Sequence, residues 1–395
     1  MSKPKFFKDL KLPVIAAPLF LVSGPKLVIE CCKSGIVGTF PSLNQRTTKG
    51  FEEWVIQIKK ELVEFEEETG IKPAPFGVNL IVHNTNPRVR DDLKICIKHK
   101  VPLIITSLGA VSQLVRAVQS YGGLVYHDVI KKRHAEKANE AGVDGLILVS
   151  AGAGGHGGTI NPMSLIAEIK KFFKKTIILS GCISTGRDVA SAMQMGADFA
   201  YMGTRFINTK ESLADDGYKD MIINSNANDI VYTAAVSGVN ANFLKASLEA
   251  MGIDEEMWKN SKKIDFGKEL SAAEAEAKAW KTIWSAGQGV TSINDSPSVK
   301  DLVNNLKEQF IESIYDQKRF IPITCSSNNF SVIIKTIAKV YRYINLFTIC
   351  IPFHFKSPPG CNNFTISPII FKIIRITNLY KICNCPVCKH FSISL

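Results

Sequence analysis

Acidic residues are missing altogether from residues 321–395, where eight Lys/Arg and sixteen Ile fall among Asn, Ser and Phe. Most of the net charge of +12 therefore belongs to this tail, since 40 basic residues face 36 acidic ones ahead of it. A body so nearly balanced has no basic field of the kind that gathers nucleic acid or anionic membrane. No uncharged apolar run reaches the ~18 residues of a membrane span; the nearest, around residues 331–355, is broken by Lys335, Lys339 and Arg342. The basic opening "MSKPKFFKDLKLPVIAAP" has no apolar h-region before a small-residue cleavage site, so no secretory leader is expected. A soluble, cytoplasmic protein follows as the expectation, with a small-molecule substrate and neither nucleic acid nor membrane as partner. Cysteine is sparse before the tail: Cys31, Cys32, Cys96 and Cys182 have neither metal nor disulfide spacing. They are expected to be reduced. In the tail, "CNCPVCKH" places Cys383, Cys385, Cys388 and His390 close together. The second, separated cluster that zinc sites use is missing, so no metal is expected.

What the chain does contain, from residue 13 to about 205, is one unit repeated. Short apolar, β-rich runs occur at Pro13–Ala17, Ile36–Phe40, Phe76–Leu80, Pro102–Thr106, Gly123–His127, Gly145–Val149, Thr176–Ser180 and Phe199–Met202. Between them lie helix-like segments such as Phe51–Glu68, Pro87–His99, Lys131–Ala141 and Arg187–Met195. Buried parallel strands read as continuous apolar runs joined by helical crossovers. Eight such strands in this length fit a (β/α)₈ TIM barrel, an α/β fold. An open, doubly wound sheet gives the same local pattern. The strand count and the absence of "GxGxxG" after the first strand favour the barrel. Residues 206–317 read as mostly helical, with Glu211–Asn224, Ala241–Met251 and Ala272–Ile283 the clearest helices and another starting near Ser296–Pro297. The expected organisation is a barrel domain over residues 10–317, with its core at 13–205 and a helical cap or insert with closing helices at 206–317. An atypical tail, 318–395, follows. Its composition is that of translated AU-rich sequence, and it is expected to be mistranslated or disordered.

In such a barrel, chemistry collects in the loops after the strands. The loop after strand 6, "SAGAGGHGG", holds five glycines and one histidine in nine residues. His156 is flanked there by Gly154, Gly155, Gly157 and Gly158, so no neighbouring side chain shields it. An imidazole exchanges protons near neutral pH, which makes His156 a candidate base, with a structural histidine as the alternative. His83 and His127 are weaker candidates. The loops after strands 7 and 8, "SGCISTGRD" and "MGTRF", offer backbone N–H groups at Gly181, Cys182, Gly203 and Thr204 for a phosphate dianion, with charge from Arg205. Tight βα turns would also explain these glycines. Asn79 ends strand 3, where its amide either reads the edge of a heteroaromatic ring or terminates the strand.

The motifs "PFGVNL", "AGAGGHGG", "LSGCISTGRD" and "YMGTRF", in this order and spacing, resemble the nitronate monooxygenase (2-nitropropane dioxygenase-like) family. "NQRT", "SGVNANFLK" and "WSAGQGV" are similar to a bacterial-type subgroup of it, and the resemblance spans about residues 10–312. It implies a TIM-barrel oxidoreductase that binds FMN and oxidises nitroalkanes or their nitronates with O₂ to a carbonyl compound and nitrite. By motif, Asn79 would contact the flavin, and Gly154 and Gly155 would let the backbone approach it. Gly181 with Met202, Gly203 and Thr204 would cradle its phosphate, and His156 would be the base. Two departures stand out. Cys182 occupies a position that is often a second glycine, and Gly152 one that is often acidic or polar. The alternative on the same scaffold is a reductase fed by NAD(P)H, acting on quinones or on enoyl-acyl-carrier-protein. Cysteine-dependent chemistry of the IMP dehydrogenase type is disfavoured, because the loop after strand 6 has no cysteine.

Overall fold

A computed structural model describes residues 10–83, 86–236, 238–259, 283–317 and 319. The apolar runs form β1 (Val14–Ala16), β2 (Val37–Pro41), β3 (Phe76–Ile81), β4 (Leu103–Ser107), β5 (Leu124–Val129), β6 (Gly145–Val149), β7 (Thr176–Ser180) and β8 (Phe199–Met202). All pair in parallel and in chain order, and β1 closes the ring by pairing with both β2 and β8, Ile15 standing beside Val37 and Tyr201. Closure excludes the open doubly wound sheet.

The strands read as continuous apolar runs because both faces are covered. Ile15, Ile105, Tyr126, Ile147, Ile178 and Phe199 fill the barrel interior. Val14, Val78, Ile104, Val125, Leu146 and Leu179 join the layer between strands and helices. Full burial of each such side chain contributes roughly 1.5–3 kcal/mol. The crossovers are α1 (Pro25–Lys33), α2 (Thr48–Thr69), α3 (Val89–Lys98), α4 (Ser112–Gln119), α5 (Lys132–Glu140), α6 (Pro162–Lys170) and α7 (Gly186–Met195). Local chemistry fixes their ends. The Thr47 hydroxyl accepts from Gly50 N at the start of α2, and Gly70 stops that helix in the left-handed region. Thr185 and Asp188 form a reciprocal capping box on α7.

Beyond β8 come α8 (Thr204–Ile207), α9 (Asp216–Ile223), β9 (Ile230–Thr233), β10 (Ala241–Leu244), α10 (Lys245–Ala250), α11 (Glu255–Lys259) and α12 (Val299–Gln317). This region departs from the mostly helical expectation. Ala241–Met251 is not one helix: its first four residues pair antiparallel with β9, Phe243 opposite Val231. The extended backbone puts Phe243 into a small core with Val236, Leu248 and Ile253 and leaves Asn242 to bond the barrel. The helix expected over Glu211–Asn224 begins only at Asp216, because the Glu211 carboxylate is committed elsewhere and accepts from Val299 N at the start of α12, 3.0 Å away. The cap of α12 is Ser298, whose hydroxyl accepts from Asp301 N at 3.1 Å, two residues after Ser296. Of Ala272–Ile283, only Ile283 is described.

The α12 helix seals the barrel against α7. Gly186 N donates to Gln309 Oε1 at 2.8 Å, and Arg187 pairs with Asp316 at 2.9 Å. The backbones meet so closely that a Cβ at Gly186 would lie 2.0 Å from Leu306 O and 2.5 Å from Phe310 N.

The chain divides into Met1–Arg319 and Phe320–Leu395. The second unit, and with it the expectations for the tail and for Cys383, Cys385, Cys388 and His390, lies outside the described residues. Among the described residues no helix is long and apolar enough to cross a membrane.

Candidate active site

Side chains alternate across each strand, so residues two beyond the interior core face the barrel mouth. There the lining turns polar: Asn79 on β3, Ser107 on β4, Asp128 on β5, Ser180 on β7 and Tyr201 on β8. Three of these form a chain of hydrogen bonds. Asn79 Nδ2 donates to Ser107 Oγ at 2.8 Å, and Ser107 Oγ donates to Asp128 Oδ2 at 2.5 Å. Asn79 Nδ2 also donates to Ile105 O at 3.2 Å. A backbone carbonyl can only accept, so the amide orientation is fixed and Oδ1 is the end presented to a ligand. Burial pushes the Asp128 carboxyl up to about 6, against the bond from Ser107.

His127 lies on the opposite face of β5. Its Nδ1 is 2.8 Å from Thr106 Oγ1, and burial lowers its pKa to about 4, so it is a neutral packing residue remote from the mouth. His83 is exposed just past β3.

The glycine-rich loop after β6 is pinned at its base and clamped from outside. Ser150 N and Oγ both donate to Ser180 O, at 3.0 and 2.7 Å. Gly152 and Gly155 take φ of 79° and 66°, which the loop's doubling back requires. Asn242 on β10 donates from its backbone to Gly155 O at 2.8 Å and from its side chain to Ala153 O at 2.6 Å. Tyr232 on β9 donates to Gly157 O at 3.2 Å. From the chain before α12, Gln288 N donates to Gly152 O at 2.8 Å, and Gly287 N to Thr204 Oγ1 at 2.9 Å. Gly287 must be a glycine: a Cβ there would stand 2.5 Å from Gly152 O. These clamps leave Gly154 and His156 exposed. Sequence reasoning assigned no role to Tyr232, Asn242, Gly287 or Gln288, although three of the four fall in the quoted stretches "SGVNANFLK" and "WSAGQGV".

The loops after β7 and β8 lie at the same end of the barrel. The N–H groups of Gly181, Cys182, Gly203 and Thr204 donate no hydrogen bond to a described residue. Met202 offers no side chain here: it packs in the outer layer, and its carbonyl accepts from Ala17 N at 2.9 Å. Arg205 does not lend its charge either, contrary to the expectation from sequence. It is buried, with Nη2 2.5 Å from Asp295 Oδ1 and Nη1 donating to Asp295 O at 3.0 Å.

The two departures at positions 152 and 182 meet in space. Cys182 holds φ of 54°, a left-handed conformation suited to the glycine often found there. Its Sγ lies 3.7 Å from Ala151 O and 3.9 Å from Gln288 Oε1, and a Cβ at Gly152 would come within 2.3 Å of it. The thiol thus fills the space that a side chain at 152 would need. Replacing Cys182 by Gly is expected to raise stability by about 1 kcal/mol by relieving backbone strain. Gly152→Ala is expected to destabilise by ~2 kcal/mol in the parent and by less in the Cys182→Gly background. A urea-unfolding double-mutant cycle checks this; strict additivity would show that the two positions do not compete for space.

The sequence model of the nitronate monooxygenase family matches residues 37–309. A nitronate monooxygenase of Paraburkholderia phytofirmans is 24% identical over 360 residues, 78% of this chain and 94% of that protein. A (3aS,4S,5R,7aS)-5-hydroxy-7a-methyl-1-oxo-octahydro-1H-indene-4-carboxyl-CoA dehydrogenase of Rhodococcus jostii is 26% identical over 236 residues, 60% of this chain and 63% of that protein. Among solved structures, FabK from Thermotoga maritima superposes with a TM-score of 0.65 at 21% identity, over 81% of this chain and 100% of that one, and so shares the fold. With the family pattern running through the barrel, the histidine loop and the clamping segments alike, this chain is an oxidoreductase that belongs to the nitronate monooxygenase family.

Proposed function

We propose that the chain uses FMN and O₂ to oxidise alkyl nitronates and nitroalkanes to a carbonyl compound and nitrite, with residues 10–317 as the catalytic unit. The observation that carries this reading is the shared location, at one end of the barrel, of the exposed His156 loop and four backbone N–H groups with no described acceptor.

The residues present fit a flavin phosphate and ring. Gly181 and Cys182 supply adjacent backbone N–H groups with no described acceptor, the kind of donor that a phosphate dianion accepts from. Gly203 and Thr204 add two more N–H donors, with Met202 contributing backbone alone. Asn79 Oδ1 would accept from the N–H edge of the ring, its nitrogen already held by Ser107 and Ile105. Gly154 and Gly155 carry no side chain to keep a flat ring away. Bound FMN would supply the electron transfer from the nitronate to O₂.

The chain's own chemistry is proton transfer and positioning. His156 takes the acidic α-proton of a nitroalkane, placing that proton on the imidazole and the electron pair on the nitro group. The clamps on Ala153, Gly155 and Gly157 hold the histidine loop on the barrel mouth while it does so.

The CoA-ester dehydrogenase relative favours a second reading, a reductase or dehydrogenase fed by NAD(P)H and acting on quinones or unsaturated acyl thioesters. Anaerobic mixing separates the two. Flavin bleaching by a nitronate but not by NADH or NADPH, with nitrite released in air, is the expected result. Rapid bleaching by NAD(P)H would transfer the assignment to the reductase. A colourless protein that FMN cannot reconstitute would overturn both.

A further inference from the structure

Asp128 is the only acidic residue in any described strand. It stands in the barrel mouth, where an asparagine would fill the same volume without the cost of burying a charge. Among the described residues, the groups placed against it are uncharged. Ser107 holds Oδ2 from β4, and Ile147 is its register partner on β6. Tyr201 on β8 is kept protonated by its burial and, secondarily, by the Asp128 charge itself. Tyr126, two residues back on its own strand, is likewise pushed up by burial. Asp128 Oδ1 is buried and has no hydrogen-bond partner among the described residues. No cation among the described residues compensates it, so the carboxylate is stabilised by one hydroxyl. Such a group changes its protonation state readily when the charge beside it changes.

We propose that Asp128 takes up a proton when the ring held in the barrel mouth is reduced and releases it on reoxidation, which links the redox equilibrium of that ring to pH. This inference rests on the flavin reading above. Two-electron reduction places negative charge beside the carboxylate and raises its proton affinity. The electron pair comes from the nitronate or from an added reductant, and the proton comes from solvent. The only bond formed on the protein is the O–H of Asp128, which breaks again on reoxidation. The sign is fixed by the acid's own titration. Below about pH 6 the carboxyl is already neutral with the ring oxidised, so reduction draws no extra proton to it. From that pH up to the raised pKa that the reduced ring imposes, reduction draws one. His156 is common to parent and variants, so the difference between them isolates Asp128.

The test is a spectroelectrochemical titration of the flavin-loaded full chain between pH 5 and 9, with Asp128→Asn and Ser107→Ala beside the parent. One proton per two electrons adds about 30 mV per pH unit to the slope of midpoint potential against pH. The parent is expected to show this extra slope from about pH 6 up to the raised pKa of Asp128 beside the reduced ring, the asparagine variant to lack it and to lie at higher potential in alkaline solution. Ser107→Ala removes the donor that favours the carboxylate, so its bend moves to higher pH. Parallel lines for parent and Asp128→Asn would overturn the inference. Should Asp128→Asn lose its flavin, an unmoved bend in Ser107→Ala would overturn it instead. A colourless parent would overturn the flavin reading and this inference with it.

Discussion

Replacing His156 by alanine is expected to lower turnover of a neutral nitroalkane by ~10²–10⁴-fold, the usual contribution of a positioned base. The fold and the flavin spectrum are expected to persist. The described bonds that shape the loop run to the backbone carbonyls of Ala153, Gly155 and Gly157, and all three survive loss of the imidazole. The informative comparison is between a nitroalkane and the same compound already ionised to its nitronate. If His156 removes the α-proton, the loss on the neutral substrate far exceeds the loss on the anion. Equal losses on the two would show that the imidazole orients the nitronate without acting as the base.

The second large effect lies far from the chemistry. Gly186→Ala is expected to destabilise the protein by about 2–3 kcal/mol, at the upper end of overpacking effects. The obstacle is backbone: the added methyl would meet Leu306 O at 2.0 Å and Phe310 N at 2.5 Å, and neither atom can rotate aside. The α7 and α12 helices must then separate, losing the Gln309 bond and exposing Leu302, Leu306 and Phe310. Urea unfolding with intact flavin absorbance as a second signal would measure this. An unchanged midpoint would mean that α12 can shift along α7 at no cost.

The barrel was legible because burial on both faces makes each strand a short apolar run, and glycine or a capping residue closes many of the helices between. Asn79 and the glycines at 181 and 203 stand out for a related reason, since each interrupts an apolar pattern at a strand's end, whereas His156 stands out because glycines flank it on both sides. Asp128 did not stand out. In "LVYHDV" the histidine draws attention, and only barrel closure decides that Tyr126 and Asp128 face inward while His127 faces the helices. The residues of β10 read as the start of a helix because Ala241–Met251 is rich in helix formers, and Lys245–Ala250 is helical. What makes Ala241–Leu244 a strand is the position of its partners, Phe243 in one core and Asn242 against a loop nearly ninety residues earlier. Arg205 illustrates the same limit, since its partner Asp295 is ninety residues away in the chain.

That separation has a consequence for assembly. The bonds shaping the histidine loop close between Ala153 and Asn242 across 89 residues, and the one from Gly287 to Thr204 closes across 83. Contacts so distant in the chain form late, after the local strand–helix units have condensed. A nascent or refolding chain can therefore condense its strand–helix units while the loop that carries His156 is still unshaped. Competence to bind and react then depends on the docking of the hairpin and the Gly287 segment, and not on the strand–helix units alone.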